Sequence, residues 1–206
     1  GVKLAIEECE TGYDTKKGVE CYEQVKAKKP VVMNPYSTGI TLQLIPKAAV
    51  DKIPVLSAFT VDESTLPAQQ DAAVGMFGGA NWAPNMDNPQ NKKFVAAYEA
   101  AYNSVPGTYA MQAYDAAMLI DSAVKAVKGD LKNKEAVSAA LRKADFTSLR
   151  GDFKFNVNGY PIQNFYLTKV AKRPDGKFQT EIVEKVFSNY GDRYANPDCH
   201  PEPYPY

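Results

Sequence analysis

Ser37, Thr38, Gly39 and Thr41 carry the clearest chemistry in the chain. They follow an apolar run at residues 30–33 and open a segment with helical spacing, so their hydroxyls and first N–H groups fall at a helix N-terminus. The first turn of a helix has N–H groups without intrahelical acceptors, and the helix dipole adds partial positive charge there. A small anion, such as the carboxylate of a metabolite, suits that end. Plain N-capping by Ser37 or Thr38 accounts for the same residues and is the simpler explanation on local sequence alone.

The other reactive side chains offer less. Asp62 and Glu63 are adjacent carboxylates, but neighbours in a loop point apart and do not make an acid–base pair. The single histidine, His200, lies in a Pro-rich tail, which argues against a His-based triad or a His-rich metal site. No residue set calls for catalysis, a metal or a cofactor. Of the three cysteines, Cys9 and Cys21 have a spacing that fits no common zinc or redox motif. Across one strand–helix unit they could face each other, giving a disulfide and an oxidising compartment, or they are two buried thiols. Cys199 is left over.

Composition narrows the class. Lys+Arg and Asp+Glu balance at 24 each, so nothing points to nucleic acid or an anionic membrane surface. No apolar run approaches the roughly 20 residues that span a bilayer. A chain of 206 residues is long enough to bury a real core. Gly1 leads directly into a strand-like segment with no signal peptide, which suggests a trimmed start.

The elements that must position the 37–41 turn read as follows. Residues 2–8 predict a strand, and Asp14 or Thr15 caps a helix to about Lys26, with Val19, Tyr22 and Val25 on one face. Residues 30–33 predict a strand buried on both faces, 38–50 a helix kinked or stopped by Pro46, and 53–56 another buried strand. This is a β-α-β-α-β, doubly wound pattern. Residues 58–91 read as a loop, a short helix and a strand leading to a polar turn at 85–90. Helices follow at 91–102, at 109–127 with a packing stripe of Ala113, Ala117, Ile120, Val124 and Val127, and at 134–144 behind an Asn133 cap. Strands at 152–156, 164–172 and 178–187 close the pattern, with a Pro-Asp-Gly turn between the last two. Residues 189–206 form a Pro/Tyr-rich tail.

The motif order resembles the type I periplasmic solute-binding proteins of ABC importers, in the branched-chain amino acid receptor group. Residues 31–41 and 54–57, VVMNPYSTGIT and PVLS, resemble the family block "VVGP-x-x-SGAT … IP-x-x-S". Phe94, Tyr98, Tyr109, Tyr114 and Asp115 sit as in its "KKFV-x-AY … Y-x-x-x-AYDA" helices. Residues 151–169, GDFKFNVNGYPIQNFYLTK, resemble its C-terminal block. The segments YEQVKAKKP and GVECYE are similar to a subgroup tied to aromatic acids and amides.

The resemblance implies an α/β, two-lobed fold of doubly wound parallel sheets, lacking here the family's first strand and helix and most of the second lobe. Residues 1–57 and 88–163 fall in lobe 1, and 58–87 and 164–187 in remnants of lobe 2. A chain break is expected near 57/58, where two blocks distant in the family meet. By position, Thr38, Gly39 and Thr41 hold a ligand carboxylate, with Tyr36 and Ser37 beside it. Phe59 stands where the branched-chain receptors keep an acid for the ligand ammonium, next to Thr60. A ring there favours an aromatic carboxylate, with branched-chain amino acids, amides or urea as alternatives. Trp82 and Tyr109 add ring contacts or pack in the core. The implied protein is a periplasmic monomer that closes on its ligand and docks on a membrane permease; a sensing domain of a regulator uses the same fold.

Overall fold

The computed structural model describes residues 5–55 and 62–192. Its first unit is a pair of helices, α1 (Thr15–Lys26) and α2 (Thr38–Asp51). Asp14 caps α1 by accepting from the Lys17 N–H at 2.7 Å, and Ser37 caps α2 by accepting from the Ile40 N–H at 3.4 Å. Pro46 removes one intrahelical donor, yet α2 runs through it to Asp51 and ends on Lys52 in the left-handed region. Tyr22, Met33, Ile40, Leu44 and Ala48 form the core between these helices and the segments that follow them. Gly18 is what lets them meet: a Cβ there would lie 2.6–3.0 Å from the Ile40 side chain. The Tyr22 hydroxyl donates to Asp51 at 2.7 Å and Lys26 pairs with the same carboxylate at 2.8 Å. Burial, and then the Asp51 carboxylate, push the Tyr22 phenol well above its ordinary value. Lys26 first, then Tyr22, holds Asp51 below its own.

The expected strands of this unit, at 2–8, 30–33 and 53–56, are barely formed among the described residues. Residues 5–8 are irregular, and the run at 30–33 contributes only a parallel bridge from Met33 to Val55. Val31 is 88% exposed, so this run is not buried on both faces. A parallel strand is buried when elements cover it on either side; α1 and α2 cover Met33, and no described element covers Val31.

The second unit contains α3 (Leu66–Gln69), a 3-10 turn (Gln70–Ala73), β1 (Phe77–Ala80), α4 (Pro89–Tyr102), α5 (Thr108–Ala126), α6 (Lys134–Lys143), β2 (Lys154–Phe155), β3 (Pro161–Lys172) and β4 (Phe178–Tyr190). β3 pairs antiparallel with β1, β2 and β4, and the β3–β4 hairpin closes at Lys172↔Phe178. Gly176 takes φ +82° in that turn and donates to the Arg173 carbonyl at 3.0 Å. Arg173 grips both oxygens of Glu99, tying the hairpin to α4.

Trp82, Met86, Phe94, Met111 and Leu149 form the larger core, and Leu66, Ala73 and Val170 a smaller one. The expected stripe on α5 is corrected: Ala113, Ala117 and Ile120 face out, while Met111, Asp115 and Ala123 are buried. Asp115 selects that face. Its carboxylate accepts from the Ser148 hydroxyl at 2.5 Å, the Leu149 N–H at 2.9 Å and Arg150 Nε at 3.1 Å. A buried carboxylate so held outweighs a row of alanines in deciding which side turns inward.

Candidate functional site

The N-terminal turn of α2 is built from the loop after Met33. Ser37 is extended, at φ −173°, and ends the loop; its carbonyl accepts from the Thr41 N–H at 2.9 Å. Thr41 is fully buried, and its hydroxyl donates to that same carbonyl at 2.7 Å. Thr41 therefore braces the turn from beneath, with its hydroxyl turned to the Ser37 carbonyl. Thr38 is half-buried and Gly39 exposed. Among the described residues, a Cβ on Gly39 would meet Thr15 Oγ1 at 3.7 Å and Ser37 Oγ at 3.9 Å, ordinary contact distances. Packing by the described residues does not demand glycine there.

Thr15 begins α1, so the positive ends of two helix dipoles lie side by side at this spot. Tyr36 is 66% exposed and stands edge-to-face with Tyr13, at a centroid separation of 6.4 Å. The structure thus brings Tyr36, Ser37, Thr38 and Gly39 together and adds Thr15 and Tyr13, which sequence reasoning missed. An aromatic residue inside the polar 10–14 turn was the available signal.

The other expected ligand residues fall elsewhere in the sequence. Phe59 and Thr60, and the expected break at 57/58, lie outside the described residues, as do Cys199 and His200. Trp82 is 1% exposed; its indole N–H donates to Asn91 Oδ1 at 2.8 Å and its ring packs edge-on against Phe94. Asn91 in turn donates to the Pro84 and Met86 carbonyls, so Trp82 belongs to a closed core rather than a ligand wall. Tyr109 is strongly exposed on the first turn of α5, away from the core.

Cys9 and Cys21 are joined by a disulfide with a Cα separation of 5.8 Å, clamping the segment before the turn onto α1. Asp62 and Glu63 serve different elements. Asp62 accepts from the Thr108 N–H at 2.8 Å at the start of α5 and from the Ser64 N–H and hydroxyl. Burial pushes the Asp62 carboxyl up, but those hydrogen bonds outweigh it and hold it below its ordinary value. Glu63 accepts from the Thr180 N–H at 2.7 Å and its hydroxyl at 2.5 Å. There burial wins against the Thr180 hydrogen bonds and pushes the carboxyl up to about 7. An open cleft of about 360 Å³ lies beside Glu63, Gln70, Asn103, Lys172 and Phe178, and no expected ligand residue among the described ones lines it. Among the described residues no three His, Cys, Asp or Glu side chains converge as a metal site, and no helix is long and apolar enough to cross a membrane.

A periplasmic binding protein family model matches residues 56–177. The Leu/Ile/Val-binding protein homolog 6 of Brucella abortus (strain 2308) is 32% identical over 133 residues, covering 63% of this chain and 34% of that protein. The solute-binding protein of an ABC transporter from R. palustris, solved in complex with benzoate, matches with 28% identity and a TM-score of 0.75. That match covers 94% of this chain and 51% of the other. A solute-binding protein of Rhodopseudomonas palustris BisB5, solved with 3,4-dihydroxybenzoic acid, matches with 25% identity and a TM-score of 0.73, over 84% of this chain and 49% of the other. The chain thus spans between a third and a half of the proteins it matches.

Proposed function

Because the chain belongs to the periplasmic binding protein family, we propose that it comes from an extracytoplasmic receptor that captures a small aromatic carboxylate and hands it to the permease of an ABC importer. Residues 1–57 and 88–163 form the carboxylate-holding lobe in this reading, and 58–87 and 164–187 belong to the opposing one. The receptor works as a monomer and performs no chemistry on its ligand. The observation that carries the reading is the build of the first turn of α2. Ser37 caps it, Thr41 braces it from below, and Gly39 presents backbone without a side chain. A carboxylate there accepts first-turn N–H donors and faces the positive ends of two helices.

The preference for an aromatic acid is supported by the two similar proteins solved with benzoate and a dihydroxybenzoate. Phe59, at the position where an ammonium partner would be needed, points the same way. A branched-chain amino acid is the second reading, favoured by the Leu/Ile/Val-binding relative. Calorimetric titration with benzoate and with leucine separates them, and Gly39→Ala tests the site. The added methyl has room in the protein, so unfolding temperature is unchanged or raised, while benzoate affinity drops at least tenfold because the methyl occupies the carboxylate's place. Unaltered benzoate affinity in Gly39→Ala would remove the α2 turn from the site.

A further inference from the structure

Tyr13 is a bulky residue held at φ +61°, in a region that side chains other than Asn, Asp and His rarely adopt. It follows Gly12 at φ +57°, and the Asp14 N–H donates to the Thr11 carbonyl at 3.0 Å. Two central residues at positive φ are the pattern of a type I′ turn, whose preferred second residue is glycine. A tyrosine there works against the turn. It is also 69% exposed, so no core packing compensates for it. What the conformation achieves is to place the ring edge-to-face with Tyr36, the residue just before the Ser37 cap. The Cys9–Cys21 bond and the Asp14 cap fix the chain on either side of it.

We propose that Tyr13 is a specificity-determining residue of the ligand site, forming with Tyr36 an aromatic wall that selects an aryl ring over an aliphatic side chain. The inference rests on the solute-receptor reading above and deepens it by naming which residues choose the ligand class. A carboxylate on the first turn of α2 leaves the rest of its molecule pointing outward from Gly39, on the side flanked by Tyr36. Two tilted rings at 6.4 Å offer an edge and a face to a third, an arrangement in which aromatic rings attract beyond the area they bury.

The test compares the 206-residue chain with Tyr13→Gly, Tyr13→Asn and Tyr13→Phe. Benzoate, cyclohexanecarboxylate and leucine serve as probes, followed by saturation-transfer NMR, and unfolding temperature is measured alongside. Glycine and asparagine suit positive φ, so both variants keep or gain thermal stability. Both weaken benzoate by about three- to tenfold and lose the preference for benzoate over cyclohexanecarboxylate, whereas Tyr13→Phe retains both. A residue with a purely structural role would shift stability and leave that preference untouched. Wild-type benzoate affinity and preference in Tyr13→Gly or Tyr13→Asn overturns the proposal while the receptor reading stands. A wild-type chain that binds leucine and not benzoate overturns the aromatic assignment. A wild-type chain that binds none of the three overturns the receptor reading and this inference with it.

Discussion

Glu63 accepts two hydrogen bonds from Thr180 while buried at the edge of the open cleft, and the two effects oppose each other. Burial dominates, so the carboxyl binds its proton more tightly in the folded chain, at about 7, than at the ordinary 4.5. A raised carboxyl means that the folded state holds more protons than the unfolded one between those values. The Glu63 contribution to stability is therefore fully present below about pH 4.5 and is lost as pH rises toward 7. The expected loss is at most about 3 kcal/mol, read as the difference between wild type and Glu63→Gln in urea unfolding across pH 4.5–7.5. Wild type and Glu63→Gln with parallel pH profiles would contradict the balance described. The 36–39 turn was legible in the sequence because Ser, Thr and Gly before a helical run have a definite physical job. The inward turn of Thr41 was not, because the choice of its partner depends on the buried Leu44–Ile45 side of α2 beneath it. Nor was the fate of Trp82, whose partner Asn91 lies nine residues away and is identified only by packing.

Helix α2 is held in place by α1, and the contact is narrow. Gly18 admits Ile40 where any Cβ would collide, and Ile40 sits beside Gly39 in the first turn of α2. Gly18→Ala is predicted to cost about 1–3 kcal/mol through overpacking and to weaken carboxylate binding by displacing that turn. Ile40→Ala creates the room, so the double variant should be more stable than the sum of the single losses implies. Denaturant midpoints of the four proteins check this, and strict additivity would show that the two residues do not share one contact. The capped helices Thr15–Lys26, Thr38–Asp51 and Lys134–Lys143, and the hairpin around Gly176, follow from local signals: an N-cap residue, helical periodicity, a Pro-Asp-Gly turn. The run at 30–33 misled for a physical reason. Apolar residues specify a buried strand only if neighbours cover them, and Val31 and Val32 are bare in this chain. On α5 the alanine stripe was a weaker determinant than one buried carboxylate, because Asp115 needs its three donors and alanine needs nothing.

At the scale of the molecule, the described residues form three small cores in place of one, and their four paired strands form an antiparallel sheet, with Met33–Val55 as the parallel link. Even so, the chain superposes on a solute-binding protein over 94% of its length with a TM-score of 0.75, while covering 51% of that protein. The type I α/β architecture expected from the motif order is therefore present as a part. Ligand capture by one face of such a part rests on the α2 turn and its neighbours, which makes weak, site-specific binding the central expectation. The most direct measurement is an NMR titration of the 15N-labelled chain with benzoate, using benzamide as the neutral control. Carboxylate capture at the α2 turn predicts saturable downfield shifts of the Thr38 and Gly39 amides with benzoate and none with benzamide. Unmoved amides, or equal shifts with both compounds, would contradict carboxylate capture at this helix end.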